Sequence, residues 1–338
     1  METKQPLLSI CIPTYNRANV LEDNLNSLVK LDGFSDDVEV IISDNCSTDE
    51  TQRIGESFAQ RYSNIRYYRN ESNVGGCQNI LLSLERGSGH FLKLVNDYTF
   101  FYKDGISFLL KLIQDNLSER PVFYFHYEYG DAKPETITVK DVNEVVLREG
   151  CKLGWLSCFG YWKNDFLALN NRNRKFESLF PQLDWFFRSC ANKNKVIYCQ
   201  KKIFLRKDLT EKYKLVKEDY NYIEVHGINY IKLLKDFVKE GVLDQKIIEP
   251  VKKTLMYPLV YTIALIKFAH QKNHSYKIDN AKAILKSEYA IYPWYHRVLA
   301  KSIVRAVAVI SIQRILGLSH LDKFFDIEKI FLAVRKIF

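Results

Sequence analysis

Two short apolar runs in this chain stop abruptly on residues better suited to holding a ligand than to packing a core. The run from Leu8 to Arg17 ends on Pro13, Thr14, Tyr15 and Asn16, and the run from Val40 to Asp49 ends on Asp44 and Asn45. Each reads as a strand that breaks into small and polar residues and then feeds a helix. Two such units in succession set two polar strand ends side by side at the carboxyl edge of a parallel sheet, where open α/β sheets bind ligands. Neither turn carries G-x-G-x-x-G or a Walker lysine, so an ordinary dinucleotide or P-loop site is excluded.

The elements that must position these residues alternate regularly. Leu7–Ile12 and Val38–Ser43 read as strands buried on both faces, with Leu21, Leu25, Leu28 and Val29 at helical spacing between them. Ser47 and Glu50 form a capping-box signature for a helix whose inner face is Ile54 and Phe58. Ile65–Arg69, His90–Val95 and Val122–Tyr127 follow as strands, separated by helices at Cys77–Glu85 and Gly105–Gln114. This alternation predicts an α/β fold with a parallel sheet covered by helices on both faces. The pattern then turns irregular: Thr136–Leu147 suits a hairpin or an extended arm, and a helix starts after Pro181. From about Thr210 the chain is nearly all helical and Lys-rich.

At 338 residues the chain has room for a full α/β domain and a second unit. The 21 Tyr and 21 Phe suit a large core and a deep pocket alike. Seven cysteines without a C-x-x-C pair argue for reduced thiols and against a zinc site or a disulfide framework. The formal charge of +9 favours anionic partners without choosing among them. No G-x-S-x-G or other nucleophile motif supports a covalent hydrolase. His126 and His226 lack partners at metal or triad spacing and read as structural. The first residues show no charged-then-apolar leader, so no secretory signal is expected.

Four landmarks in order now make a resemblance specific. Pro13-Thr-Tyr-Asn16, Asp44-Asn-Cys-Ser-Thr-Asp49, Asn73-Val-Gly-Gly76 and Asn96-Asp-Tyr-Thr99 resemble those of family 2 glycosyltransferases over about residues 7 to 200. The resemblance implies a GT-A fold and transfer of a sugar from a nucleotide-sugar with inversion at the anomeric carbon. It places the donor across Pro13, Thr14, Tyr15, Asn16, Asp44, Asn45, Asn73, Gly75 and Asn96. An Asp-Asp pair is usual at the second strand end. Asn45 offers both a donor and an acceptor where a carboxylate would only accept, which leaves uridine favoured and the base open. Asn45 also suits a plain turn, and the glycines of Asn73–Gly76 would let backbone approach phosphate or ribose.

The fourth landmark departs from the family pattern. Two or three acidic residues usually hold Mn²⁺ or Mg²⁺ there, whereas this chain has Asp97 alone, with Tyr98 in the place of the main ligand. Three outcomes are open: a divalent metal held weakly through Asp97, charge neutralisation by basic residues, or an impaired enzyme. The first is favoured, since a hard cation accepts one carboxylate with phosphate oxygens and water. By resemblance, Asp184 at the start of a helix is the catalytic base, although a helix cap fits it too. Trp155, Trp162 and Trp185 are candidate platforms for the acceptor sugar, with a core role the alternative for each.

The expected organisation is a GT-A domain over residues 1–208 and a helical region over 209–338. Trp294–Phe338 has eight Lys/Arg against three Asp/Glu, with Leu321, Phe324, Phe325, Phe331 and Val334 in one stripe. That stretch could lie on an anionic membrane with Tyr292, Trp294 and Tyr295 at the headgroups, or pack on the rest of the protein; packing is preferred. No segment reaches the roughly 18 apolar residues that a spanning helix needs. Partners are then a nucleotide-sugar donor and a glycan or lipid-linked saccharide acceptor of surface polysaccharide assembly, with no nucleic acid. The expected location is the cytoplasm or the inner face of the cytoplasmic membrane. A nucleotide- or glycan-binding protein without activity and a nucleotidyltransferase are the rivals.

Overall fold

The computed structural model describes residues 5–126, 133–191, 193, 195–205, 221–268, 278 and 280–315. The chain divides into two compact units, Met1–Val145 with Leu153–Tyr213 and Val146–Lys152 with Lys214–Phe338. The expected boundary at 208/209 lies outside the described residues, as does the apolar stripe from Leu321 to Val334.

In the first unit the chain runs β1 (Leu8–Thr14), α1 (Ala18–Leu28), β2 (Val38–Asp44), α2 (Thr51–Arg61), β3 (Ile65–Arg69), α3 (Gly76–Glu85) and β4 (Phe91–Leu94). It continues through β5 (Phe100–Phe101), α4 (Gly105–Asp115), β6 (Val122–Phe125), β7 (Thr136–Val139) and α5 (Val142–Glu149), which belongs to the second unit from Val146 on. Then come β8 (Gly160–Trp162), α6 (Lys163–Leu167), α7 (Pro181–Ala191), β9 (Val196–Cys199) and β10 (Phe204–Leu205). The main sheet has the order β3-β2-β1-β4-β8. It is parallel except for β8, which pairs antiparallel to β4 with Phe91 opposite Trp162. β1 and β2 are mostly apolar because helices cover both faces, and every residue of β2 is buried, Glu39 and Ser43 included. The edge strand β3 is only partly buried.

Register decides which polar residues meet. Leu8 pairs with Val38, and the ladder runs on until Thr14 stands opposite Asp44. Asp44 in turn stands opposite Arg69, and Cys11 stands opposite Leu94 at the end of β4. All of these strands therefore run out on one edge.

Three expectations need correction. Val122–Phe125 does not extend the main sheet; it pairs in parallel with β9, which also takes β7 antiparallel. The Thr136–Leu147 stretch is neither a hairpin nor an arm but the strand β7 followed by the helix α5. Val142, Val145 and Val146 are buried at helical spacing there, and tertiary burial overrides their β-branched preference. The capping box at Ser47 does not form either. α2 starts at Thr51, and Asp49 Oδ1 accepts from the Thr51 N–H at 3.0 Å and from its hydroxyl. Ser47 is thereby released to bond to Asp44.

The second unit holds the short helix α8 (Tyr222–Glu224), a π-helical turn over Val225–Asn229, α9 (Tyr230–Lys239), α10 (Ile248–Phe268), α11 (Ala281–Tyr289) and α12 (Tyr295–Ile315). Asn221 caps α8 by accepting from the N–H groups of Ile223 and Glu224. Tyr230, Ile231, Leu233, Leu234 and Phe237 line the buried face of α9. Trp294 and Tyr295 are buried within this unit at 5% and 6% exposure. They are core residues and do not stand at a membrane headgroup level. Among the described residues, no helix is long and apolar enough to cross a membrane.

Candidate active site

The edge where β1, β2 and β4 end is closed by a network of polar side chains. Asp44 is fully buried. Its Oδ1 accepts from the Ser47 N–H at 3.0 Å and from the Ser47 hydroxyl at 2.5 Å, and its Oδ2 accepts from Tyr67 Oη at 2.6 Å. Burial, followed by this bond to a carboxylate, pushes the Tyr67 phenol far above its ordinary pKa. Gly55 in α2 permits the arrangement, because a Cβ there would lie 2.2 Å from Tyr67 Cδ2. Ser47 Oγ accepts from the Asn16 N–H at 2.9 Å, and Asn16 Oδ1 accepts from the Thr48 N–H at 2.7 Å. Asp44 therefore holds the two strand-end loops together.

Asn45 is engaged in the same way. Its Oδ1 accepts from the Val74 N–H and from Asn70 Nδ2, both at 3.0 Å, and its Nδ2 donates to Asn73 Oδ1 at 2.7 Å. Its amide fixes the Asn73 turn and keeps little capacity for reading a base. Asn73 Oδ1 also accepts from the Gly75 N–H at 2.9 Å. Gly75 has φ +83°, which suits glycine, and open space lies where a Cβ on Gly75 or Gly76 would sit. The backbone at the start of α3 is thus uncovered. Pro13 is partly buried, and Tyr15 at 42% exposure offers its ring beyond the strand end.

Asp97 lies at the same edge, 1% exposed. Its Oδ2 accepts from Thr14 Oγ1 at 2.9 Å, and its Oδ1 accepts from Arg17 Nη1 at 2.8 Å. Asn24 Nδ2 donates to the Asp97 and Thr99 carbonyls, both at 2.8 Å, and fixes the loop from behind. Ser157 Oγ accepts from the Asn96 N–H at 2.9 Å and meets Thr99 Oγ1 at 3.0 Å. Beneath this loop Lys93 is fully buried in β4 and donates to the carbonyls of Ser157, Phe159 and Leu94. Desolvation brings its pKa down to about 7.

This donor set does not fit a divalent metal. Each Asp97 oxygen already accepts one hydrogen bond, one of them from a cation. Among the described residues no group of three or more His, Cys, Asp or Glu could hold a metal ion. The expected metal ligand is instead the anion of an ion pair.

Asp184 stands near the start of α7 at 1% exposure. Arg174 Nε donates to its Oδ1 at 2.8 Å and Arg188 Nη1 to its Oδ2 at 3.3 Å. Burial raises its pKa while the two guanidinium groups oppose the rise. Two of the candidate platforms are core residues. Trp162 donates its indole N–H to the Pro121 carbonyl and Trp185 to the Arg172 carbonyl, both at 2.7 Å, and both rings are enclosed. Trp155 is partly buried, edge-on to Phe204.

Sequence reasoning missed Arg17, Asn24, Tyr67, Asn79 and Ser157. Arg17 adjoins a landmark and could have been found by position. Asn79 donates to the Ser43 carbonyl from inside α3, and neither its type nor its spacing gave a signal.

Comparison with known proteins agrees with this geometry. Residues 9–145 match the family model of Glycosyl transferase family 2. The abequosyltransferase RfbV of Salmonella typhimurium is 38% identical over 104 residues, which are 30% of this chain and 31% of RfbV. The poly(ribitol-phosphate) beta-N-acetylglucosaminyltransferase TarS of Staphylococcus aureus is 28% identical over 142 residues, 41% of this chain and 24% of TarS. The chain thus spans less than half the length of these curated relatives. Among solved structures, S. aureus TarS 1–349 in complex with UDP is similar with a TM-score of 0.51 at 17% identity, covering 95% of this chain and 94% of that one. The mannosyltransferase PcManGT from Pyrobaculum calidifontis, in complex with GDP-Man and Mn²⁺, is similar with a TM-score of 0.50 at 14% identity. That match covers 94% of this chain and 82% of PcManGT. The fold is of the GT-A kind, mixed α/β around a mostly parallel sheet.

Proposed function

We propose that this chain is an inverting glycosyltransferase that moves a sugar from a nucleotide-sugar, with a UDP-sugar favoured, to a glycan or lipid-linked acceptor in surface polysaccharide assembly. One observation carries the reading: inside the family-matching segment, a single sheet edge gathers Thr14, Asn16, Asp44, Asn45, Asn73 and Asp97 into one hydrogen-bonded frame. The base stacks by Tyr15. The strand-end loops and the uncovered turn at Gly75 hold the ribose and phosphates. TarS, whose structure is known with UDP, supports uridine as the base.

In the reaction, the acceptor oxygen attacks the anomeric carbon on the face opposite the diphosphate. The bond from carbon to phosphate oxygen breaks, and its electron pair stays with the departing nucleoside diphosphate. Asp184 receives the acceptor proton. Burial raises its pKa, which makes it a stronger base, while its two arginines oppose that rise. Arg174 is the more exposed of the two partners, at 30% against 18% for Arg188.

The test is to incubate the purified chain with UDP-, GDP- and dTDP-sugars and saccharide-lipid acceptors, and to follow release of nucleoside diphosphate. One donor family should give release that depends on acceptor, with inverted configuration in the product. Nucleotide binding without transfer or hydrolysis from any donor would defeat the reading.

A further inference from the structure

We infer that Arg17, seated on Asp97, takes the place of a divalent cation at the donor's diphosphate, so that transfer runs without a metal. The inference rests on the donor-binding reading above and starts from its one misfit. At the end of β4 the chain has one carboxylate, and that carboxylate already has a cation. Arg17 Nη1 lies 2.8 Å from Asp97 Oδ1, with the Arg17 side chain 23% exposed and the carboxylate 2% exposed. The guanidinium stands over the Tyr98 ring, 5.5 Å from its centroid. Tyr98 therefore does more than remove a metal ligand, since its face supports the cation that stands there instead.

The pair is held from below. Thr14 Oγ1 fixes the second Asp97 oxygen, and Asn24 fixes the Asp97 carbonyl. A metal entering at Asp97 would share the carboxylate with the Thr14 and Arg17 bonds and stand beside a fixed positive charge. An arginine meets no such obstacle. It presents five N–H donors in a planar fork that matches two phosphate oxygens, and its charge does not depend on pH in the working range. From the exposed edge it reaches the same diphosphate that a metal would bridge. In the transfer step the sugar-to-phosphate bond breaks toward the diphosphate. The negative charge gained by the leaving oxygen is met by Arg17, while the acceptor proton goes to Asp184.

Calorimetric titration of uridine and of UDP or GDP, in chelator and in Mn²⁺, tests this directly. The diphosphate should bind in chelator within about threefold of its affinity in Mn²⁺. Arg17→Ala should weaken the diphosphate by about 10- to 100-fold and leave the nucleoside unchanged. Asp97→Asn should retain diphosphate binding in chelator, because the ligand then supplies the counter-charge. Transfer by wild type should survive chelator and fall about 10²- to 10³-fold in Arg17→Ala. Diphosphate binding that appears only with Mn²⁺ and vanishes in Asp97→Asn would overturn the role of Arg17 while leaving the donor-binding reading intact. A chain that binds neither nucleoside nor diphosphate under any condition would overturn both.

Discussion

Asp97 and Asp184 are both almost wholly enclosed, and each is paired with arginine, yet they are assembled over very different distances along the chain. Asp97 takes its partners from 83 and 80 residues away, Thr14 and Arg17 on a different strand end. Asp184 takes its partners from 10 and 4 residues away, Arg174 in the preceding loop and Arg188 one turn along the same helix. The charge balance differs as well. Among the described residues, one arginine pairs with Asp97 and two pair with Asp184. In the proposed reading the first pair offers a cation to an incoming anion and the second places a carboxylate for proton transfer. Burial and an ion pair alone thus do not say what a carboxylate does.

The comparison is broken most severely at Asp184. Asp184→Asn should lower transfer by about 10²- to 10⁴-fold, with donor affinity within about threefold of wild type. Single-turnover rates and nucleotide titration read the two separately, and normal turnover would remove Asp184 from the base role.

Asp97→Asn acts on the other member. It leaves the Arg17 charge without its anion and should reduce unfolding free energy by about 1–3 kcal/mol, less than for a wholly enclosed pair because Arg17 is partly exposed. Urea denaturation measures this, and unchanged stability would mean that the pair is slack.

A further test lies under the Asp97 loop, at Lys93. Its pKa is about 7 in the folded chain, below its ordinary value of 10.5, because desolvation opposes the charge. The unfolded chain therefore binds more protons than the folded one between those two values. The contribution of Lys93 to stability rises with pH across that window and is flat below about pH 7. Denaturation midpoints of wild type relative to Lys93→Met should diverge in favour of wild type from pH 7 to 9. Parallel curves would show that Lys93 titrates near its ordinary value in the fold.

Legibility from sequence followed the range of the interactions. β1 and β2 could be read because a strand buried on both faces is mostly apolar, and the end of each is marked by the residue types that follow. β6 was readable as a strand but not as to its sheet, since its partner β9 lies seventy residues on and nothing local specifies pairing. α5 was misread because its valines prefer strands in isolation. At the site, the strand-end residues Thr14, Asn16, Asp44 and Asn73 could be found from type and position. What they bond to could not. Asp44 and Asn45 bond to the loops, and Trp162 and Trp185 are enclosed in the core, because hydrogen-bond satisfaction in a buried place is decided by neighbours that only folding supplies.

By itself the sequence determined the alternation of strands and helices, the carboxyl edge as the ligand edge, and the presence of a lone carboxylate at the end of β4. Those follow from hydrophobic period and from the chemistry of residues next to one another. Only the tertiary structure decided that this carboxylate is already paired with Arg17, that Asp184 sits between two arginines, and that Tyr67 and Ser47 close over Asp44. Each depends on groups brought from far along the chain to within 3 Å or so, at a register that the whole sheet fixes at once.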